Sequence, residues 1–173
     1  MASREASWRG RSSVGAAVGG NRLIVAGLLV LMIGLVGRSS PRRQATAGDP
    51  AARIDADGSL PASIRSTLSR ACFDCHSDET RWPWYSGLPL ASWLIERDVR
   101  EARGQLNFSR WTEYHRIDRA DLLDKACELA TAGDMPLWQY RLLHPEARLA
   151  NSDIAALCDW TRSEAARLME AGS

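Results

Sequence analysis

The stretch Cys72-Phe73-Asp74-Cys75-His76 places two cysteines three positions apart and a histidine directly after the second one. This C-x-x-C-H spacing is typical of segments that attach a haem covalently. Both thiols can bond to the porphyrin vinyl groups from one helical turn, and the adjacent imidazole can ligate the iron. We therefore predict one covalent haem c per chain, with Cys72 and Cys75 as the attachment residues and His76 as an iron ligand.

Two other kinds of site also use a C-x-x-C pair: the thioredoxin-like redox motif and the zinc knuckle. A thioredoxin-like motif belongs at the end of a strand, whereas the residues before Cys72 have helical periodicity. A zinc site needs four ligands, and the remaining thiols, Cys127 and Cys158, are distant from the motif and from each other in sequence. We favour covalent haem over both.

The amino-terminal part of the chain predicts export. Residues 1–22 form a basic region with four arginines, and residues 23–37 form an uncharged apolar run of 15 residues. This run is shorter than the roughly 20 residues of a comfortable membrane-spanning helix. It is therefore either a signal anchor or the core of a signal peptide, and both place the following domain outside the cytoplasm.

Cleavage after the apolar run would require small residues, and Ala45-Thr46-Ala47 has that character. The intervening segment, residues 38–43, is basic and poorly suited to a cleavage region. We therefore favour an uncleaved anchor, so that the membrane is contacted through residues 23–37. The expected location is the periplasm or the outer face of the bacterial cytoplasmic membrane.

Composition divides the rest of the chain into a flexible tether over residues 38–59 and a single haem-binding domain over residues 60–173. The tether is rich in Ala, Asp, Gly, Ser, Pro and Arg and has no apolar period. Residues 44–173 carry 15 basic and 20 acidic side chains, a net charge of −5. An acidic domain argues against nucleic acid as a partner.

The apolar periodicity of this domain is helical throughout, and no segment reads as a strand. We predict four helices, which run from about Pro61 into the C-x-x-C-H motif, from Ser92 to Gln105, from Asp118 to Ala132 and from Ser152 to Glu170. The prolines and glycine of residues 82–89 exclude regular helix and predict a rigid aromatic loop. The fold class is therefore all-α.

The order of elements is typical of class I cytochromes c. A helix is followed by the haem motif, further helices, a methionine in a loop and a terminal helix. Met135, 59 residues after His76 and followed by Pro136, occupies the place of the second axial ligand. We predict that Met135 ligates the iron opposite His76. His115 and His144 are the alternative ligands, and core packing is the alternative role of Met135.

Three longer runs, residues 71–86, 91–111 and 133–149, resemble the bacterial haem-binding domain family. They read A-C-F-D-C-H-S-D-E-T-R-W-P-W-Y-S, A-S-W-L-I-E-R-D-V-R-E-A-R-G-Q-L-N-F-S-R-W and G-D-M-P-L-W-Q-Y-R-L-L-H-P-E-A-R-L. Members of that family are small, exported, single-haem proteins with one hydrophobic N-terminal segment. The resemblance covers about Leu60 to Ala166 and implies covalent haem at Cys72, Cys75 and His76.

Other side chains have predicted roles around the haem. We expect at least two of the tryptophans of the domain to line the haem pocket. Arg81 and Arg141 are candidate partners of the haem propionates. Cys127 and Cys158 fall on the apolar faces of two helices, where we favour two buried thiols over a disulfide, although an oxidising compartment permits the bond.

These features predict a one-electron carrier rather than an enzyme, because His/Met ligation leaves no open position on the iron. A weak or open sixth position would instead indicate a haem peroxidase-like enzyme or a haem-based sensor. The sequence does not identify the redox partner protein.

Overall fold

A computed structural model describes residues 23–31, 48–56 and 58–171 of the chain. The chain divides into two units, with the boundary between Pro41 and Arg42. Every regular element within the described residues is a helix, either α or 3-10, and none of these residues lies in a strand. The predicted all-α fold class is confirmed.

Residues 23–31 of the first unit are helical, and their side chains are exposed. Within the described part of the chain, no helix has the length and apolarity needed to cross a membrane. Residues 32–37 of the predicted anchor and the possible cleavage site at Ala45-Thr46-Ala47 lie outside the described residues. The anchor therefore stays a prediction.

Within its described residues, the second unit contains six α-helices, which we number in chain order. They are α1 (Ala62–Ala71), α2 (Phe73–His76), α3 (Pro89–Gln105), α4 (Arg116–Ala132), α5 (Trp138–Leu143) and α6 (Asn151–Glu170). Short 3-10 segments cover Pro50–Ala52, Trp84–Gly87, Phe108–Glu113 and Pro145–Ala147. The four predicted helices correspond to α1, α3, α4 and α6, whereas α5 was not predicted.

Local chemistry determines where these helices begin and end. Pro89 occupies the first turn of α3, where its missing N–H leaves no hydrogen bond unmade. Gly133 ends α4 with φ of 78°, a left-handed conformation that glycine adopts without steric cost. The backbone N–H of Ala150 donates to Asp153 at 2.8 Å and fixes the start of α6.

Ordered packing begins before the predicted domain boundary at residue 60. Within the predicted tether, Ala52 and Ile54 are buried, and the Ile54 N–H donates to the Phe108 carbonyl at 3.0 Å. Arg53 forms ion pairs with Asp55 and Glu79. Residues 48–56 therefore belong to the packed domain, because two apolar side chains in a polar segment are enough to attach it to the core.

The core lies between α1, α2, the Phe108–Glu113 segment, α4 and α6. Its members are buried apolar side chains from all of these elements, among them Ile64, Leu68, Phe73, Phe108, Trp111, Leu123, Leu157 and Leu168. The α4 and α6 helices pack along each other and are joined by a disulfide between Cys127 and Cys158, with their Cα atoms 5.0 Å apart. The expectation of two free thiols is wrong, because the packing register of α4 on α6 brings both cysteines to one contact.

Candidate functional site

A largely apolar cavity of about 870 Å³ lies in the second unit. Its wall is formed by α1, the Cys72–His76 segment, α3, α4 and residues 135–137, together with Leu106, Phe108, Tyr140, Leu149 and Leu157. The aliphatic stripe predicted on α4, namely Leu122, Ala126 and Leu129, faces this cavity. The volume lies within the range of about 300–1,000 Å³ that is typical of cofactor sites.

The C-x-x-C-H segment forms a single helical turn on this wall. The backbone N–H groups of Cys75 and His76 both donate to the Cys72 carbonyl, at 3.1 and 2.9 Å. Cys72, Cys75 and His76 all line the cavity. The structure thus brings the two predicted attachment residues and the predicted iron ligand to one surface.

His76 is held in an orientation suited to metal ligation. Its Nδ1 lies 3.0 Å from the Leu106 carbonyl oxygen, which can only accept, so Nδ1 carries the proton. The Nε2 lone pair is then available to a metal ion, as in most histidine ligands. Burial lowers the pKa of His76, so the imidazole is neutral at neutral pH, the form that ligates iron.

Both motif thiols are protonated at neutral pH. Burial raises the pKa of Cys72 to about 12 and that of Cys75 to about 11. A redox-active C-x-x-C pair or a zinc site works through thiolates, which such burial disfavours. In addition, no group of three or more His, Cys, Asp or Glu side chains within the described residues could hold a metal ion.

Met135 lines the same cavity as His76. It follows the C-terminal glycine of α4, and its backbone N–H donates to the Leu129 carbonyl at 3.2 Å. Its neighbours Pro136 and Leu137 are also part of the wall, and the Met135–Pro136 peptide bond is cis. All four predicted site residues therefore share one cavity.

The two histidines considered as alternative ligands lie elsewhere. His144 is not part of the cavity wall, and its Nε2 is hydrogen-bonded to the Tyr85 hydroxyl at 2.8 Å. His115 is exposed, and its Nδ1 accepts from the Ile117 N–H at the start of α4. Neither ring reaches the cavity.

The expected tryptophan wall is not observed. None of the tryptophans in the described residues lines the cavity; Trp111 is buried in the core, while Trp84, Trp93 and Trp138 are exposed. The aromatic rings on the wall are Phe108 and Tyr140. Aliphatic side chains of α4 supply the apolar surface that the tryptophans were expected to provide. Their helical spacing in the sequence is the signal that could have identified them as wall residues.

The arginines assigned to the propionates also lie outside the cavity wall. Arg81 pairs with Asp74, and Arg141 donates to the Gly133 carbonyl at 3.3 Å. The cationic side chains on the wall are Arg100 and Lys125. Lys125 pairs with Glu128, whereas Arg100 makes no ion pair within the described part of the chain. No sequence pattern distinguished Arg100 from the other arginines of α3.

Tyr140 was not predicted as a site residue, although it connects the cavity to the C-x-x-C-H segment. Its hydroxyl donates to Asp74 Oδ2 at 2.7 Å, and the Arg81 guanidinium donates to both carboxylate oxygens. Asp74 is buried between these two partners. Burial and the Asp74 carboxylate raise the pKa of Tyr140, so the phenol remains the donor.

The sequence matches a known protein family over most of its length. The model of the haem-binding domain family matches residues 30–163, well over half of the chain. No curated protein and no solved structure matches this sequence.

Proposed function

The chain belongs to the haem-binding domain family, and on this premise we propose that it is an exported c-type protein that carries single electrons. Cys72 and Cys75 would hold one haem through thioether bonds, and His76 and Met135 would ligate its iron. When bound, the haem supplies an iron that changes between the ferrous and ferric states. The chain's own residues hold it, shield it and set its potential.

The cavity fits this group chemically. Two protonated thiols and a neutral imidazole with its Nε2 available lie together on a wall that is otherwise mostly aliphatic. The aliphatic side chains of α4 would exclude water from one face of the ring. The Leu106 carbonyl would hold the His76 ring in place and raise its basicity as a ligand.

The position of Met135 on the same cavity as His76 is the observation that carries the proposed electron-carrier role. Thioether and imidazole ligation together would leave no open position on the iron and would raise its potential. A filled site passes electrons with little rearrangement but admits no peroxide or gas. This supports a carrier over a peroxidase-like enzyme or a sensor.

We further propose that the domain works in the periplasm or on the outer face of the bacterial cytoplasmic membrane. Residues 23–37 anchor it there, and its redox partner is a protein of the same compartment. The disulfide between Cys127 and Cys158 supports this location, because such bonds persist in oxidising compartments.

Replacing Met135 by Ala tests the function. We expect the variant to lose the weak far-red charge-transfer band of methionine-ligated ferric haem, to become high-spin and to have a lower reduction potential. Water or peroxide can then reach the iron, so peroxidase activity should rise. Met169→Ala, at an exposed position of α6, is the matched control and should leave the spectrum unchanged.

A wild-type protein that is already high-spin and binds carbon monoxide rapidly, with no change on Met135→Ala, would exclude the carrier role. A bis-histidine spectrum would also contradict His/Met ligation, and His144 would then be the first residue to substitute.

A further inference from the structure

Four aromatic side chains form a continuous series from the cavity wall to solvent, which we call the ring chain: Tyr140, His144, Tyr85 and Trp84. Tyr140 lines the cavity and stacks on His144, with ring centroids 4.2 Å apart and planes 14° apart. The Tyr85 hydroxyl is hydrogen-bonded to His144 Nε2 at 2.8 Å. Trp84 contacts the Tyr85 ring edge-on at 5.7 Å and is 85% exposed.

The inner end of the ring chain is fixed to the C-x-x-C-H segment itself. The Tyr140 hydroxyl donates to Asp74, the residue immediately before Cys75, and Arg81 holds the same carboxylate. His144 is held from its other side, because its Nδ1 lies 3.0 Å from a Glu146 carboxylate oxygen. These bonds keep the rings in contact rather than leaving them as independent surface side chains.

The outer end is unusual for a tryptophan. An indole normally buries most of its large apolar surface, whereas Trp84 leaves nearly all of it in water. It lies in the short 3-10 segment Trp84–Gly87, next to Pro83, so its backbone is restrained although its ring is exposed. A rigidly presented ring at the end of a series of contacting rings is suited to touch another molecule.

We propose that the ring chain is the route by which one electron would pass from the iron of the bound haem to the oxidised redox partner protein in contact with Trp84. This inference rests on the proposed function. Electron tunnelling weakens steeply with distance, and it weakens more across empty gaps than through stacked or hydrogen-bonded groups. The ferrous iron becomes ferric, and the acceptor gains that one electron. The rings are not oxidised themselves, no covalent bond changes, and no proton is transferred.

The test uses the haem-loaded full chain with a photo-oxidant at a defined position. The chain has four cysteines, of which two would be thioethers and two form the disulfide, so an introduced cysteine is the one reactive thiol. A ruthenium polypyridyl complex is attached at Trp84→Cys. In a second protein it is attached at Asp121→Cys, an exposed position on α4 next to the wall residue Leu122. Flash photolysis then measures the rate of iron oxidation from each label.

The ring chain is interrupted by His144→Leu and, independently, by Tyr85→Leu, each in a protein whose haem spectrum matches the wild type. We expect each substitution to slow electron transfer to the label at position 84 by an order of magnitude and to leave transfer to the label at position 121 unchanged. Tyr85→Phe keeps the ring but removes the hydrogen bond, and should slow transfer less than Tyr85→Leu does.

The inference would be overturned if electron transfer to the label at position 84 were not slowed, or if transfer to both labels were slowed equally. Either result would leave the electron-carrier proposal intact. If neither label oxidised the iron, both the inference and the electron-carrier proposal would be overturned. The use of two variants on different elements keeps the test valid if one of them fails to fold.

Discussion

At the scale of single residues, the cavity depends on a few side chains whose neighbours set their chemistry. The Leu106 carbonyl determines which nitrogen of His76 carries the proton, and burial keeps the thiols of Cys72 and Cys75 protonated. Each of these effects arises from a contact rather than from the residue type. Substitutions at these positions therefore test specific interactions.

Covalent attachment of the haem to Cys72 and Cys75 can be tested directly. In the double variant Cys72→Ala and Cys75→Ala, haem should become extractable by denaturation, because no thioether would remain. Denaturing gels stained for haem peroxidase activity measure this. The control is Cys127→Ala with Cys158→Ala, which removes two cysteines outside the motif and should retain stained haem. Gel-resistant haem in the first double variant would contradict the assignment.

Arg100 should raise the reduction potential of the haem. Its positive charge lies on the cavity wall without an ion pair in the described residues, and a nearby cation disfavours the more positive ferric state. Arg100→Gln should lower the potential by the equivalent of about 1 kcal/mol or less, since the exposed side chain is screened by solvent. Spectroelectrochemical titration measures the shift.

Arg162→Gln is the control for Arg100→Gln, because Arg162 lies on α6 away from the cavity and pairs with Asp159. An equal shift of the reduction potential in both variants would show that the effect comes from the net charge of the protein alone.

Two kinds of candidate site residue could be predicted from the sequence: residues close together in the chain, and residues identified by their place in the order of elements. Cys72, Cys75 and His76 share one helical turn, so their spacing alone brings them together, and Met135 followed from the order of elements. Tyr140 and Arg100 could not be predicted in the same way. Their roles depend on how α5 and α3 pack around the cavity, which no local period records.

At the scale of elements, helical periodicity predicted the four long helices because each presents several turns of apolar spacing. Six-residue α5 is too short to show such a period, and its boundaries depend on tertiary contacts. Packing within residues 48–56 of the predicted tether was missed for a related reason. Two apolar residues, Ala52 and Ile54, give no periodic signal, yet both are buried.

The packing of residues 48–56 should depend on pH through Asp55. A hydrogen bond from Arg53 lowers the pKa of Asp55 in the folded protein below its ordinary value. The folded state therefore binds this proton less readily than the unfolded state, so its stabilisation is present at neutral pH. It is lost as the pH falls from about 4 through the folded pKa.

Asp55→Asn should consequently be less stable than the wild type at pH 7, and the difference should shrink in strong acid. Urea unfolding at a series of pH values measures this. Asp159→Asn, at an exposed position of α6, is the matched control substitution. A stability difference that is constant with pH would contradict the role of Asp55.

At the scale of the whole molecule, the family match begins at residue 30, inside the apolar run, and continues to residue 163. The match therefore includes part of the predicted anchor and all of the cavity wall. The domain carries an acidic excess, whereas the basic residues of the amino terminus lie ahead of the apolar run. The excess of basic residues thus lies in the first unit of the chain, and the excess of acidic residues lies in the second.

We predict that residues 23–37 remain on the mature protein and hold it at the membrane. The chain should sediment with the membrane fraction and be released by detergent but not by salt. N-terminal sequencing of the purified protein should then find the apolar run intact. A soluble product that begins at Gly48 would instead establish cleavage after Ala45-Thr46-Ala47.

The disulfide between Cys127 and Cys158 closes a covalent loop that contains Met135 and the inner half of the ring chain. Loop closure limits how far such a segment can depart when it opens locally, because both of its ends stay fixed. In the proposed His/Met-ligated protein, a Met135 side chain released from the iron would remain at high effective concentration, because the crosslinked loop keeps it near the cavity. The crosslink would thus make loss of this ligand short-lived and reversible.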